Sequence, residues 1–593
     1  MNFPPSFSPR LSLISAAVLS SALLVACGGG SGGDSGGNAS TPVAGTPVTT
    51  TPVETPAETP AETPSETPDT PTTEPTTPTD PVTPTEPVTP PGRWTVGDMH
   101  VHTYQSDDTQ QTTTLDQVLA KAFNTFGLDW AAISDHLRVS SYDNNGNRLT
   151  TQIPFSEGMA KYQVPRIKAL QAAGTYADKT IFASAEWDMP GHDHGNVGIL
   201  TDQPMSDAAL KAVSQFEYLF TNRPAAQFPV ADVTAWGPKA GTGYNTHAET
   251  LKGLDWLKTN YPNTSYLQVN HPSRNLGSYT IAQLREMNDL APKIVFSIEG
   301  MVGNQMEPDR GGYTQAANPT TANLVARTYG GVDYLVAKLG GTWDALLSEG
   351  RHIWNVADSD YHFTVNGNNS SGYAPGEYAK NHLWGDIKGP QSLLDAMRAG
   401  KVFGTHGDLI SALDFRVTSS AGSGEMGSEI AAKAGETVTI SVRFKTPDRN
   451  NFEYRLGSGI PANVKPVVDH IDLIAGDVTG RETPGTPGYS RDTNPSTRVA
   501  KRFTAADWKL DSEGYYAATY TMAANNSQYF RLRGTNLGVD VPGEMVAGEP
   551  QPDVSISSNT VPDATTRFNA INARNYSDLW FYSNPVFVKV PTP

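Results

Sequence analysis

Cysteine is nearly missing from this chain: Cys27 is the single one among 593 residues. That excludes a disulfide within one chain, thiolate metal ligands and a cysteine nucleophile. Lysine and arginine are missing from Thr41 to Pro91, where Thr-Pro and Glu-Thr-Pro recur. Proline at that density holds the chain extended, and with few apolar residues no core can form, so the stretch reads as a disordered stalk. Over the whole chain 61 acidic residues face 43 basic ones, a formal net charge of -18. Clustered cations are what bind a phosphate backbone, so this balance argues against nucleic acid as a partner. From Arg93 onward no apolar run is long enough to span a bilayer.

The apolar run Leu11–Ala26, preceded by Arg10, has the length of a signal h-region rather than of a membrane span. It ends in Leu24-Val-Ala-Cys27, which resembles the bacterial lipobox, whose cysteine is lipidated and becomes the new N-terminus. The expectation is an exported protein anchored to the membrane through a lipid on Cys27, periplasmic or surface-facing. Gly28 rather than aspartate after the cysteine favours the outer membrane. The plainer alternative is a signal peptide with a chance cysteine. A glycine-rich leash (Gly28–Gly37) and the stalk then lead, over 28–92, to about 500 residues, enough for two domains.

The first of these, 93–408, alternates strand and helix signals. Trp94–His102 reads as a strand, and Thr114 caps a helix with apolar positions at Leu115, Val118, Leu119, Ala122 and Phe123. Leu128–Ile133, Ile181–Ser184, Tyr266–Val269, Ile294–Ile298 and Ile353–Ala357 read as further strands. Such alternation predicts an α/β barrel or parallel sheet, with function at the C-terminal strand ends. Metal-ligand residue types sit at those ends. His100 and His102, two apart, share one face of a strand, in Asp98-Met-His-Val-His-Thr-Tyr-Gln-Ser-Asp107. Ile133-Ser-Asp-His136, Ala185-Glu186, His194-Gly-Asn196, Asn270-His-Pro272 and Asp358-Ser-Asp-Tyr-His362 follow.

That ordered set resembles the PHP (polymerase and histidinol phosphatase) superfamily of metal-dependent phosphoesterases. The resemblance implies a distorted (β/α)7 barrel and two or three divalent ions. His100, His102, Glu186 and Asp360 would hold one ion. Glu186 would bridge to a second on His194 and His271, while Asp107, His136 and His362 would hold a third. Imidazole and carboxylate donors suit zinc, manganese or iron. Aspartate at 107, where some relatives carry histidine, shifts the third site towards manganese or magnesium. His192 competes with His194, which is preferred because His-Gly-Asn matches the family pattern. Glu299 is expected beside the site without being a ligand. Asp98 and Asp135 either orient an imidazole or serve as turn residues. Arg138 and Arg274 are placed to meet a phosphate, or else form surface ion pairs. His406 is a candidate proton donor to the leaving group. His247, His352, His382 and His470 match no motif and default to structural roles. Loop-rich Thr221–Asn245, Met301–Thr320 and Phe363–Ala379 are expected to shape a pocket.

From 409 to 593 the pattern changes to alternating runs, Leu413–Val417, Thr437–Phe444, Val467–Ala475, Tyr515–Met522, Phe530–Arg533 and Leu579–Val590. Period-two strands between turn-rich loops predict an all-β sandwich-like domain. Trp580–Val588 is similar to the last strand of β-domains appended to some PHP proteins. A brace against the barrel is preferred to an independent binding module. The resulting expectation is an exported metal-dependent hydrolase, first of all a phosphoesterase acting on a small-molecule ester. The stretch Thr342–Arg351 is similar to a branch that includes a carbamate-ester hydrolase, which keeps carbamate, amide and carboxylic esters open. A catalytically inactive surface binding protein is the alternative of another class.

Overall fold

The opening strand shows why the fold begins where it does. β1 (Arg93–Val101) is buried from Gly97 onward, and Gly97 lies against Trp130, where a Cβ would stand 2.0 Å from the indole. The computed structural model describes residues 92–109, 113–313, 318–363, 372–450 and 465–591. The signal segment with Cys27, the leash and the stalk lie outside these residues, as do parts of the second and third expected pocket loops.

β1 pairs in parallel with β2 (Trp130–Ile133), and β2 with β3 (Thr180–Ala183). Thr114 caps the intervening helix, Leu115–Leu119, through a capping box with Gln117. The helix continues to Thr125 in wider turns. A second sheet has the order β8-β7-β6-β5-β4, comprising β4 (Ala185–Asp188), β5 (His194–Ile199), β6 (Ser265–Val269), β7 (Ser297–Met301) and β8 (Trp354–Ala357). Its β6-β7-β8 part is parallel, but β4-β5 and β5-β6 are antiparallel.

The mixed α/β expectation therefore stands, but a seven-stranded barrel closed by backbone bonds is not what forms among the described residues. Only Ser184 separates β3 from β4. At the other edge Asn381, on β9 (Ala379–Gly385), bonds both the N–H and the C=O of Ala357 through its amide, at 2.9 and 2.7 Å. Single bridges, Val101 to Tyr361 and His136 to Glu186, join the sheets at the strand ends. Side chains do at these edges what a continuous ladder would do.

Antiparallel β9 and β10 (Val402–His406) extend the first sheet beyond β1. The remaining chain supplies β11 (Ala412–Ser419), β12 (Glu436–Lys445), β13 (His470–Asp477), β14 (Tyr516–Ala524), β15 (Gln528–Thr535), β16 (Trp580–Ser583) and β17 (Val586–Lys589). β16 pairs with β10 on one side and β15 on the other. One sheet thus runs without a break across residue 408. On β12 the alternation is plain: Val438, Ile440, Val442 and Phe444 are buried and the residues between them are half-buried. Each such side chain contributes roughly 1.5–3 kcal/mol. The C-terminal part is not all-β, because it holds a 14-residue helix, Ala564–Ser577, capped by Asp563.

Buried ion pairs tie the two parts together. Arg531 on β15 meets both oxygens of Asp344, on the helix Thr342–Leu347, at 2.7 and 2.8 Å, and each side chain is 1% exposed. Removing one partner leaves the other charge buried and uncompensated. Asp344→Ala is expected to cost about 3–5 kcal/mol of stability, read from urea unfolding.

Glu217, on the helix Asp207–Phe220, is fully buried, and its carboxylate accepts the N–H groups of Phe155 and Ser156 at 3.1 and 2.9 Å. Burial outweighs these bonds and pushes its pKa up from 4.5 to about 7. Between those values the folded state binds the extra proton, so the stability linked to Glu217 is full below pH 4.5 and is lost as pH rises to 7. From pH 4.5 to about 8 the wild type should lose on the order of 3 kcal/mol relative to Glu217→Gln, measured by urea unfolding at each pH.

Candidate metal centre

The buried series Asp98, His100, His102 runs through the end of β1 to the residue just past it. Asp98 accepts the N–H of His100 at 3.0 Å and that of Ser359 at 3.2 Å. Asp358 accepts the N–H of Met99 at 2.7 Å. Two carboxylates thus stitch the end of β1 to the loop after β8, bringing His100 and His102 against Asp360. Burial raises the pKa of Asp98 to about 6 in spite of those bonds. Asp135 does the same for the turn after β1, accepting from the Thr103 N–H and hydroxyl at 2.5 and 2.8 Å. Neither aspartate orients an imidazole; both hold backbone.

The imidazoles are oriented by other groups. Glu299 lies 3.2 Å from His100 Nδ1 and accepts the His271 N–H at 3.2 Å. Ser106 Oγ lies 2.8 Å from His102 Nδ1.

At the centre stands Glu186, 1% exposed. Its Oε1 lies 3.1 Å from His100 Nε2 and 3.2 Å from both His194 Nδ1 and His271 Nε2. Asn270 donates to the same oxygen at 2.8 Å. Its Oε2 lies 3.4 Å from His102 Nε2 and 3.0 Å from His136 Nδ1. Asp360 Oδ1 is 3.1 and 3.2 Å from His100 and His102 Nε2. Burial alone would raise the Glu186 pKa, but His194, His100 and His136 pull it well below the usual range. Burial likewise opposes charge on His102 and His194, and the surrounding carboxylates reverse this to about 9 and about 10. His136 is the exception, held down at about 4 by burial.

These donors fit divalent cations. Glu186 Oε2, Asp360 Oδ1, His136 Nδ1 and His271 Nδ1 are buried without an aligned hydrogen bond, although imidazole and carboxylate atoms lie near one another. Lone pairs aimed at shared space rather than at one another are what a metal requires. His100, His102, Glu186 and Asp360 form one group with ligand atoms within 4.8 Å; His136, Glu186 and His194 form another; His102, His136 and His362 a third; Asp193, His194 and His271 a fourth.

Eight of the nine expected ligands therefore converge. Asp107 does not: it faces Arg138 at 3.4 Å. Its neighbour Asp108 stands instead 2.9 Å from His136 Nε2 and 3.4 Å from His362 Nε2. These two imidazoles overcome burial and lower the Asp108 pKa. Asp193 is a second residue that motif reading passed over. It sits beside His194 and accepts from Arg274 at 2.7 Å.

His192 lies apart from the cluster, 2.7 Å from His247, which meets Glu286 at 2.9 Å. Arg138 donates to both oxygens of Asp188 at 2.7 and 2.8 Å, so both expected phosphate-binding arginines are already paired. Each also borders His194, at 3.3 and 3.2 Å.

His406 ends β10 in the seam with the C-terminal part. Tyr378 stacks on it at 5.3 Å, and Trp580 lies opposite in register. Burial, with Arg310 nearby, lowers its pKa to about 3. Buried in this seam, His406 is not placed to reach a leaving group.

No family model and no curated protein matches this chain. Among solved structures, a two-domain protein containing a predicted PHP-like metal-dependent phosphoesterase from Bacteroides vulgatus ATCC 8482 is similar at 10% identity and a TM-score of 0.29. The match covers 79% of this chain and 96% of that one. A likeness of that size carries no argument about this chain.

If Asp108 completes the His136–His362 site, Asp108→Ala lowers the bound metal by about one equivalent, whereas Asp107→Ala retains it. Elemental analysis of the two purified variants separates these outcomes.

Proposed function

We propose that this chain is a metal-dependent hydrolase of ester bonds, foremost a phosphoesterase of the PHP type on an opened (β/α)7 framework. We further propose that it is exported and held at the outer membrane through lipidated Cys27. The observation that carries the hydrolase reading is the Glu186 carboxylate set among five imidazoles, with Asp360 beside it.

His100, His102, Glu186 and Asp360 would hold one ion, Glu186, His194 and His271 a second, and His136, His362 and Asp108 a third. Zinc, manganese or iron there would lower the pKa of water and offset charge on the ester oxygens. The chain's own part is to hold the imidazoles aimed, through Glu299 and Ser106. Arg138 and Arg274 border His194, where the anionic oxygens of an ester would come. In the reaction water adds to phosphorus, the bond to the alcohol oxygen breaks, and that oxygen leaves carrying a proton from water.

One observation favours a second reading. Both arginines are already paired with Asp188 and Asp193, so less positive charge is free than a phosphate dianion would use, which suits a carbamate, amide or carboxylic ester.

The purified chain should contain two or three equivalents of divalent metal and hydrolyse a phosphomonoester or phosphodiester. His100→Ala/His102→Ala should lose metal and more than about 100-fold in kcat/KM while staying folded by circular dichroism. Turnover confined to carboxylic or carbamic esters would select the second reading. Turnover unaffected by the double substitution would remove the metal-hydrolase assignment.

A further inference from the structure

The segment that leaves the metal centre from His271 runs directly into a cleft of about 500 Å³, a volume in the range of small-molecule sites. Pro272 and Tyr279 from that segment, Val325, Tyr334 and Leu276 line it. Leu276 and Val325 are 57% and 46% exposed, two large apolar side chains uncovered on the walls of one concavity. Asp492 is the only charged residue among the described lining. A charged leaving group such as a nucleotide or polyphosphate would find no cation there and would meet a carboxylate.

The cleft adjoins the candidate centre through its wall, since Pro272 directly follows His271 and Tyr279 reaches the backbone of His194. Tyr279 donates its hydroxyl to the His194 carbonyl at 3.2 Å, and its ring is half-buried. The walls are also fixed in advance. Asp333, fully buried, accepts the N–H and hydroxyl of Ser273 at 2.9 and 2.7 Å and the N–H of Leu335 at 2.8 Å, and both of those residues border the cleft. One carboxylate thus holds two walls in place, so little ordering is left to be done on binding.

We infer that this cleft receives the uncharged aryl or alkyl part of the ester whose scissile group lies at the metal centre. The inference rests on the hydrolase reading for the word ester, and on the cleft alone for the binding of a neutral apolar group. Burying such a group against Leu276, Val325 and the two tyrosines removes apolar surface from water on both sides of the contact. The substrates favoured are esters of bulky, neutral alcohols over those of small or polyanionic ones.

Two measurements on the full chain test this. In the first, 2-naphthol is titrated and followed by its own fluorescence, with no turnover required. It should bind the wild type and Val230→Asp, an exposed control outside the cleft lining, and bind Leu276→Asp about tenfold more weakly. In the second, kcat/KM is compared for 2-naphthyl and methyl phosphate or, should only carboxylic esters react, for the corresponding acetates. The naphthyl-to-methyl ratio should fall about tenfold in Leu276→Asp and stay unchanged in Val230→Asp. No naphthol binding, or equal binding by Leu276→Asp, overturns the cleft assignment. Naphthol binding that depends on Leu276 without turnover of any ester upholds the cleft and removes the hydrolase reading. Turnover with an unchanged ratio in Leu276→Asp does the reverse.

Discussion

A carboxylate buried to the degree of Glu186 costs several kcal/mol unless opposite charge or strong donors surround it. Here the compensation comes from five imidazoles on four separate pieces of chain: β1 and its end, the turn after β2, the start of β5 and the segment after β6. None of these is satisfied without the others, so the strand ends must converge on one point. Without a cation the balance is met by protons on His102 and His194, whose pKa values the carboxylates raise to about 9 and about 10. Divalent ions would displace those protons. Metal affinity and stability are therefore expected to be linked, each falling as the other is withdrawn.

Holding such a centre uses backbone conformations that an ordinary strand end would not adopt. His271 and Asp360 lie at φ of 26° and 46°, and Asn304 at 54°. For non-glycine residues each costs on the order of 1–3 kcal/mol. Specific bonds hold them: the His271 N–H donates to Glu299, and the Asn304 amide donates to Asp360. Glu299 thus positions one ligand by its ring nitrogen and another by its backbone, which explains a buried carboxylate at this place without assigning it to a metal.

The parts of this arrangement that were legible in the sequence follow local rules. His100 and His102 share a face because a strand has period two, and the other ligands lie at the ends of apolar runs. The rule fails where the strand stops. β1 ends at Val101, so the turn geometry and not alternation decides between adjacent Asp107 and Asp108, and it selects Asp108 for the histidines. Ile294–Ile298 reads as a strand because it is apolar, yet pairing begins at Ser297, where Gln268 is available opposite. His406 ends a strand, but its surroundings depend on β16, whose residue Trp580 is far along the chain. The antiparallel β4-β5 hairpin is likewise a matter of long-range pairing, which no short pattern carries. Glu217 left no signal at all, since a lone helical glutamate reads as a solvated one.

The same continuity of sheet changes what the C-terminal part means. A separate sandwich would leave β10 as an exposed edge, with unpaired backbone groups beside the candidate centre. β16 covers that edge, and Arg531 on the adjoining β15 locks the helix Thr342–Leu347 to the same sheet through Asp344. Ser490 and Asp492, from the same part of the chain, also border the cleft next to His271. Loss of the C-terminal part would then remove a wall of the cleft together with the support of the sheet, so stability and selectivity for the neutral group are coupled through one structural element. The aspartate it contributes gives that wall its sign, which disfavours an anion in the cleft and leaves a neutral group unopposed.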